Sequence, residues 1–236
     1  KAILRLIGEI GGDVHFAGES IYGLDGRSLR DLRKRMQMIF QNPYAALNNH
    51  MKVDEIIAEG VSVSGRQNGA VVDRVAELLE CVNLNPDKAV QYPWELSGGE
   101  RRRVGIARIL AVDPEFIVAD EPVAALDLSI KSQVINLLTD LREQRRLTYL
   151  FISHDIGVVR YVSDRIAVMY LGVIVEVGDT DDVSEARCLH PYTRQLLAAA
   201  DYMSRRPDVR GASRTNGGQN WEVPTETPSG CRYHPR

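Results

Sequence analysis

The sequence predicts an α/β protein built on a mostly parallel sheet. Short apolar runs typical of buried strands alternate with segments in which apolar residues recur every three or four positions, as they do on amphipathic helices. Three of the apolar runs end directly in polar residues, at Gln41, at Asp120 and Glu121, and at His154. Because functional residues collect at the carboxyl ends of parallel strands, both observations predict the same class of fold.

The composition excludes several classes of protein. The chain has 236 residues, 44% of them hydrophobic, which is enough to fold as one large domain or two small ones. Lys and Arg number 29 against 32 Asp and Glu, and this net charge of −3 argues against a dedicated nucleic-acid binder. The longest apolar run, residues 166–175, has about half of the ~20 residues that a membrane-spanning helix needs.

The first part of the chain predicts short elements. Residues 1–7 are typical of the end of a helix, and residues 13–22 of a short strand with turns. Residues 28–35 predict a surface helix. Residues 36–40 predict a buried strand that leads into Gln41.

Longer helices and further strands follow. A helical period covers the region 53–83, and further helices begin at Ser97 and near Ile130. The remaining apolar strands are predicted at residues 116–119, 149–152, 165–170 and 173–177. Beyond about Arg205 the chain is rich in Arg, Pro, Gly, Ser and Thr, which predicts a flexible extension.

The acidic pair Asp120 and Glu121 directly follows the apolar strand 116–119. A carboxylate at a strand end can hold Mg²⁺ through oxygen, and its neighbour can deprotonate a water for attack on a phosphate. The same pair is also typical of a helix N-terminus, where an aspartate caps the first turn. Taken alone, the pair does not decide between these two interpretations.

The segment Ser97–Gly98–Gly99–Glu100 matches a capping box, in which the Ser and Glu side chains bond to each other's backbone amides. The two glycines remove every Cβ from the first turn, so that a phosphate can approach the free amides closely. A plain helix start after a loop is the alternative.

Two single residues and two basic clusters complete the candidates. Gln41 can reach a metal or a water through its amide oxygen, and His154 can contact a terminal phosphate. A solvated glutamine and a structural histidine are the alternatives. The clusters Arg30–Arg35 and Arg101–Arg103 are interpreted as solvated helix faces, in keeping with the acidic net charge.

The order of these features is more specific than any one of them. On that order the chain resembles the ATP-binding subunits of ABC (ATP-binding cassette) transporters over roughly residues 1 to 200. Gln41 matches the Q-loop glutamine of the family, and Leu96 to Glu100 match its signature motif. Phe116 to Asp120 match the Walker B strand and Glu121 the catalytic glutamate after it, while Ala125 to Asp127 resemble the D-loop and His154 the switch histidine.

The resemblance implies a fold and its boundaries. It implies an ABC-type nucleotide-binding domain whose RecA-like core of mostly parallel strands comprises residues 1–41 and 112–180. A helical subdomain with the signature motif would comprise residues 42–111. Residues 181–236 would be a C-terminal extension.

ATP and Mg²⁺ are the implied cofactors. In the family pattern, Asp120 and Gln41 hold the metal, and Glu121 and His154 are catalytic. The implied nucleotide-binding residues are Gln41, Ser97, Gly98, Gly99, Glu100, Asp120 and Asp127.

The resemblance also implies partners. Two ATP-binding subunits, identical or different, close face to face, so that Ser97, Gly98 and Gly99 bind the ATP of the partner. Two transmembrane permease subunits hold the pair at the cytoplasmic face of the cell (inner) membrane, and a solute-binding protein acts indirectly. Nucleic acid is not expected as a partner.

A narrower resemblance, to the oligopeptide, dipeptide and nickel importer branch, rests on residues 36–45, 152–155, 190–193 and 230–236. One departure is the Walker A pattern G-x-x-x-x-G-K-[ST], which these 236 residues do not contain. We therefore expect a fragment truncated at both ends, inactive by itself, of an ATPase that energises import of peptides, dipeptides or nickel. The alternatives are a soluble ABC-type ATPase that is not coupled to transport and a non-catalytic subunit that lacks Walker A.

Overall fold

A parallel sheet lies in the first of two compact units of the computed structural model, and the units are residues 1–153 and the part that begins at His154. The structure describes residues 1–8, 11–41, 47–65, 68–124, 126–184 and 190–204. The strands are β1 His15–Phe16, β2 Glu19–Ser20, β3 Met36–Ile39, β4 Phe116–Asp120, β5 Thr148–Ile152, β6 Arg165–Tyr170 and β7 Val173–Asp179. The α-helices are α1 Gly26–Arg35, α2 Val53–Val63, α3 Asn68–Cys81, α4 Gly98–Leu110, α5 Leu128–Arg145, α6 Ile156–Val162, α7 Thr180–Ser184 and α8 Pro191–Ser204.

The sheet of the first unit has the order β3-β4-β5, and both strand pairs are parallel. The backbone of Glu115 aligns the starts of the three strands. Its N–H donates to the carbonyl of Arg35 over 2.8 Å, and its carbonyl accepts from the N–H of Thr148 over 3.0 Å. Strands that begin level and run parallel end at the same edge, so the predicted parallel sheet is confirmed and its carboxyl ends lie side by side.

Apolar side chains of this sheet pack in one cluster with side chains from the elements that precede it in the chain. The buried members of the cluster are Leu4, Ile21, Leu32, Met36, Met38 and Val118. The predicted helix end at residues 1–7 is wrong, because only a single 3-10 turn forms, at Ala2–Leu4. Arg5 leaves the turn with a left-handed φ of 48° and donates to the carbonyls of Ile21 and Leu24, over 3.2 and 2.8 Å. These tertiary bonds hold Arg5 in a conformation that ends the turn.

Three helices of the first unit pack together, with α2 against both α3 and α4. Their apolar positions recur at helical spacing, and the helices predicted across 53–83 and after Ser97 are confirmed. Side chains buried at this junction include Val53, Ile56, Ile57, Val61, Leu78, Leu79, Val82, Val104, Ile106, Ala107 and Leu110. Burying each large one stabilises the fold by about 1.5–3 kcal/mol, so the junction holds α4 against α2 and α3.

The second unit contains the antiparallel pair β6 and β7. Ile166 and Val168 alternate inward from β6 and pack with Val183 and Leu197. No helix in the described part of the chain is both long enough and apolar enough to cross a membrane. The extension expected after Arg205 lies outside the described residues. The subdomain boundaries expected from the family pattern stay a prediction.

Candidate functional site at the carboxyl edge of the parallel sheet

Asp120 and Glu121 stand where β4 ends. Asp120 is the last residue of the strand and pairs with Ile152, the last residue of β5. Glu121 follows with a left-handed φ of 47°, and its N–H donates to the carbonyl of Ile152 over 2.9 Å. This backbone conformation costs a non-glycine residue roughly 1–2 kcal/mol, and it ends the extended backbone of β4 at the half-buried Glu121.

Arg102 brings the end of β4 and the Q-loop position together. Its Nη2 donates to the carbonyl oxygen of Gln41 over 2.9 Å, and its Nη1 lies 3.5 Å from the carbonyl oxygen of Glu121. The Gln41 and Glu121 backbones therefore flank one guanidinium group. The sequence predicted Gln41 and Glu121 as site residues, and the structure places both at the same edge of the sheet.

The interpretation of Arg101–Arg103 as a solvated face is wrong for Arg102, which is only 3% exposed. Burial lowers the pKa of its guanidinium. Arg102 lies on the buried stripe of α4, three residues after Gly99 and four before Ile106. That helical spacing, with an arginine at an otherwise apolar position, is the signal in the sequence that could have identified it.

The predicted capping box forms at the start of α4. The N–H of Ser97 donates to Oε2 of Glu100 over 2.8 Å, and the N–H of Glu100 donates to Oγ of Ser97 over 3.3 Å. The hydrogen bond from the Ser97 backbone is the main cause that lowers the pKa of Glu100, and Lys88, 3.2 Å away, adds to it. The Glu100 carboxylate is thus engaged within its own chain, while Ser97 is exposed at the helix N-terminus.

Gly99 packs against α5, and the nucleotide-binding role expected for it stays a prediction. A Cβ at Gly99 would lie 3.0 Å from Cγ2 of Ile130, so the first turn of α4 rests on α5. Asp127 precedes α5 as its N-terminal cap residue, and its carbonyl accepts from the N–H of Lys131 over 2.8 Å. The signature segment and Asp127 therefore begin two helices that are in contact, with Asp127 itself exposed. Ala125, at the start of the predicted D-loop, lies outside the described residues.

His154 opens the second unit and is exposed. Asp155 follows it and caps α6, since its Oδ1 accepts from the N–H of Val158 over 3.2 Å. The catalytic role expected for His154 stays a prediction.

The oxygen atoms of Asp120 and Gln41 at the sheet edge are suitable ligands for Mg²⁺. This ion prefers hard oxygen ligands and is usually held by one or two carboxylates together with substrate phosphates and water. Asp120 supplies a carboxylate, half-buried at the strand end, and Gln41 an amide oxygen on an exposed side chain. The described residues contain no group of three or more His, Cys, Asp or Glu side chains that could hold a metal without substrate.

Two protein-family models match the sequence. The model described as "ABC transporter" matches residues 1–124, which is more than half of the chain. The model described as "Oligopeptide/dipeptide transporter, C-terminal region" matches residues 175–236.

Curated relatives give the same result. The chain is 51% identical over 202 residues to the oligopeptide transport ATP-binding protein OppF of Bacillus subtilis, covering 84% of this chain and 66% of that protein. It is 48% identical over 203 residues to the dipeptide transport ATP-binding protein DppF of Lactococcus lactis, covering 84% and 65%. The match thus spans about two thirds of the length of these relatives.

A solved structure shares the fold. The ATP-binding cassette MJ0796, determined as a dimer in a post-hydrolysis state bound to ADP and Pi, superposes with a TM-score of 0.64 and 28% identity. The superposition covers 72% of this chain and 74% of that one. The predicted ABC-type α/β fold is therefore confirmed. On its sequence motifs, its family-model match and its structural neighbour, the chain belongs to the ABC transporter family.

Proposed function

We propose that this chain is the ATP-binding and ATP-hydrolysing part of a subunit that energises peptide import. The observation that carries the proposal is the edge of the parallel sheet, where Gln41, Asp120 and Glu121 lie at neighbouring strand ends. The names of the relatives, which are transport ATP-binding proteins for oligopeptides and dipeptides, support peptides as the solute.

Each residue has a role in this proposal. Asp120 and Gln41 hold Mg²⁺, which when bound supplies positive charge to the phosphates of ATP. Glu121 accepts a proton from the attacking water, and the left-handed turn at its backbone sets the direction of its carboxylate. His154 and the side chain of Gln41 contact the terminal phosphate.

The exposed N-terminus of α4 binds the nucleotide of a second subunit. Ser97 and Gly98 start the helix, where free amides and the helix dipole favour an anion. Asp127, at the start of the neighbouring α5, lies close to the same surface, because α4 and α5 are in contact at Gly99. The structural neighbour was solved as a dimer, which supports this face-to-face arrangement.

The proposed role in peptide import implies further partners. Two transmembrane permease subunits bind the pair of ATP-binding subunits at the cytoplasmic face of the membrane, and a solute-binding protein delivers the peptide. The second subunit is a copy of this chain or a related one.

The 236 residues by themselves are expected not to hydrolyse ATP. A Walker A loop supplies several amides and a lysine to the phosphates, and hydrogen bonds to charged groups contribute about 1.5–3 kcal/mol each. Losing three of them weakens binding by more than ~10³-fold. Micromolar binding of Mg-ATP by the isolated 236-residue polypeptide, measured by calorimetry, would contradict this expectation.

The proposal is tested with the full-length protein and its permease subunits reconstituted in vesicles. We expect Mg-ATP hydrolysis together with uptake of labelled di- and oligopeptides. Asp120→Asn should raise the Mg²⁺ concentration needed for half-maximal hydrolysis, whereas the matched charge change Asp140→Asn, on the exposed face of α5, should not.

The other outcomes separate the alternatives. Hydrolysis that neither needs the permeases nor drives uptake indicates an ATPase uncoupled from transport. Uptake of Ni²⁺ without peptide uptake refutes peptides as the solute. Absence of Mg-ATP binding by the full-length protein indicates a non-catalytic subunit.

A further inference from the structure

Arg102 is a buried cation whose acceptors are neutral. Among the described residues, the two groups that its guanidinium reaches, at Gln41 and Glu121, are backbone carbonyl oxygens. Within the described part of the chain its Nε is buried and has no hydrogen-bond partner. Burying a cation without a carboxylate beside it is costly, and a well-packed apolar side chain at such a position is often neutral or stabilising. Stability alone therefore does not account for an arginine here.

The two carbonyls belong to the positions that the proposed function uses. Gln41 is the first polar residue after β3, and Glu121 is the first residue after β4. The backbone of Glu121 is held from both sides, because its N–H donates to the carbonyl of Ile152, and its own carbonyl accepts from the N–H of Ala124 over 3.1 Å and lies 3.5 Å from Nη1 of Arg102. A strained φ of 47° persists only where the surroundings hold it, and Arg102 adds a restraint from α4 to those that Ile152 and Ala124 provide.

The same side chain belongs to the helix that begins at the signature segment. Arg102 follows Ser97 by five residues on α4, a regular helix of 13 residues. The helix connects the exposed end that carries Ser97 to the guanidinium group, and the guanidinium group connects the helix to Gln41 and Glu121. Any displacement of α4 therefore moves the groups that orient these two residues.

We propose that Arg102 is a positioning residue that couples helix α4 to the backbone of Gln41 and Glu121. It touches neither nucleotide nor metal and acts by keeping the Glu121 turn and the start of the Q-loop in place. The proposal rests on the proposed function, because the position of Glu121 affects a rate only if Glu121 accepts a proton from the attacking water during ATP hydrolysis.

The experiment compares Arg102→Met and Arg102→Lys in the full-length protein. Arg103→Met is the matched control, since Arg103 is the next residue of the same helix and bonds elsewhere, to the carbonyl of Asn83 over 2.9 Å and to Oε1 of Gln133 over 2.7 Å. The first measurement is amide hydrogen exchange at Glu121 without nucleotide. The second is the rate of hydrolysis together with the Kd for Mg-ATP.

Arg102→Met should speed exchange at Glu121 by about two- to tenfold, because the long contact from the guanidinium to the Glu121 carbonyl is lost while the bonds to Ile152 and Ala124 remain. The kcat should fall on the order of 10²-fold, as for a misplaced catalytic group, while the Kd changes by less than about threefold. The melting temperature should stay close to that of the wild type, because a buried cation is removed. Arg102→Lys should recover part of the rate, since a single ammonium can reach one of the two carbonyls.

Three results would overturn the proposal. The first is exchange at Glu121 that matches the Arg103→Met control. The second is a kcat that falls only in proportion to the loss of folded protein. The third is a variant whose Kd rises while kcat is kept. If the wild-type protein hydrolyses no ATP, the proposed function fails, yet the exchange measurement still decides whether Arg102 holds the Glu121 backbone.

Discussion

Gly60 tests whether the close approach of two helices positions α4. Gly60 lies inside α2, where alanine would ordinarily be preferred by about 1 kcal/mol. A Cβ at this position would lie 2.7 Å from Cβ of Ala111 and 2.9 Å from the carbonyl oxygen of Arg108. Neither group can move without its backbone, so we expect Gly60→Ala to force α2 and α4 apart.

The magnitude follows from two opposed effects. Overpacking of a buried contact costs typically about 1–3 kcal/mol. The higher helix propensity of alanine stabilises the fold by about 1 kcal/mol relative to glycine. The net change is therefore a destabilisation of up to about 2 kcal/mol. In a protein of this size each kcal/mol changes the melting temperature by about 2–4 °C.

Gly105→Ala is the matched control for this prediction. Gly105 lies inside α4, and outside the backbone of that helix no atom of the described residues lies within 4 Å of the position of its missing Cβ. Propensity acts there without a clash, so the control should be stabilised by up to about 1 kcal/mol. Thermal melting of both variants and the wild type measures the difference, about 1–3 kcal/mol in favour of Gly105→Ala. Equal melting temperatures for the two variants would refute the reasoning.

Three further predictions concern the site. In the full-length protein, Glu121→Gln should keep ATP binding but slow hydrolysis by about 10²–10⁴-fold, the usual contribution of a general base, and near-normal turnover would remove Glu121 from that role. Gly98→Asp places a carboxylate where a phosphate is expected, so hydrolysis should be lost while ATP binding to the isolated subunit is retained; loss of that binding would contradict the face-to-face arrangement. Glu100→Gln concerns pH, because the Ser97 amide and Lys88 hold the pKa of Glu100 below its ordinary value of 4.5. The stability that the ionised Glu100 contributes is present above about pH 4.5 and lost as pH falls through the lowered pKa, so the melting-temperature difference between wild type and variant should shrink on acidification; a constant difference would contradict it.

The strands and the capping box were predictable from the sequence because their signals are local. The apolar runs at residues 36–40, 116–119 and 149–152 became β3, β4 and β5 with boundaries within one residue. The capping box needs only Ser97 and Glu100, three positions apart, and it forms as predicted. Such patterns depend on the next few residues of the chain and on burial of one face, which the order of amino acids specifies.

The sequence by itself determined the alternation of strands and helices, the polar residues at the strand ends and the start of α4. Only the tertiary structure decided that Arg102 is buried between Gln41 and Glu121, because that contact joins residues 61 positions apart. Consecutive helical residues point about 100° from each other, so three adjacent arginines face three environments. Arg101 donates to the carbonyl of Pro93, Arg102 to that of Gln41, and Arg103 to that of Asn83. A run of like charges is uniform in the sequence, and only packing of the helix against its neighbours separates the buried arginine from the other two.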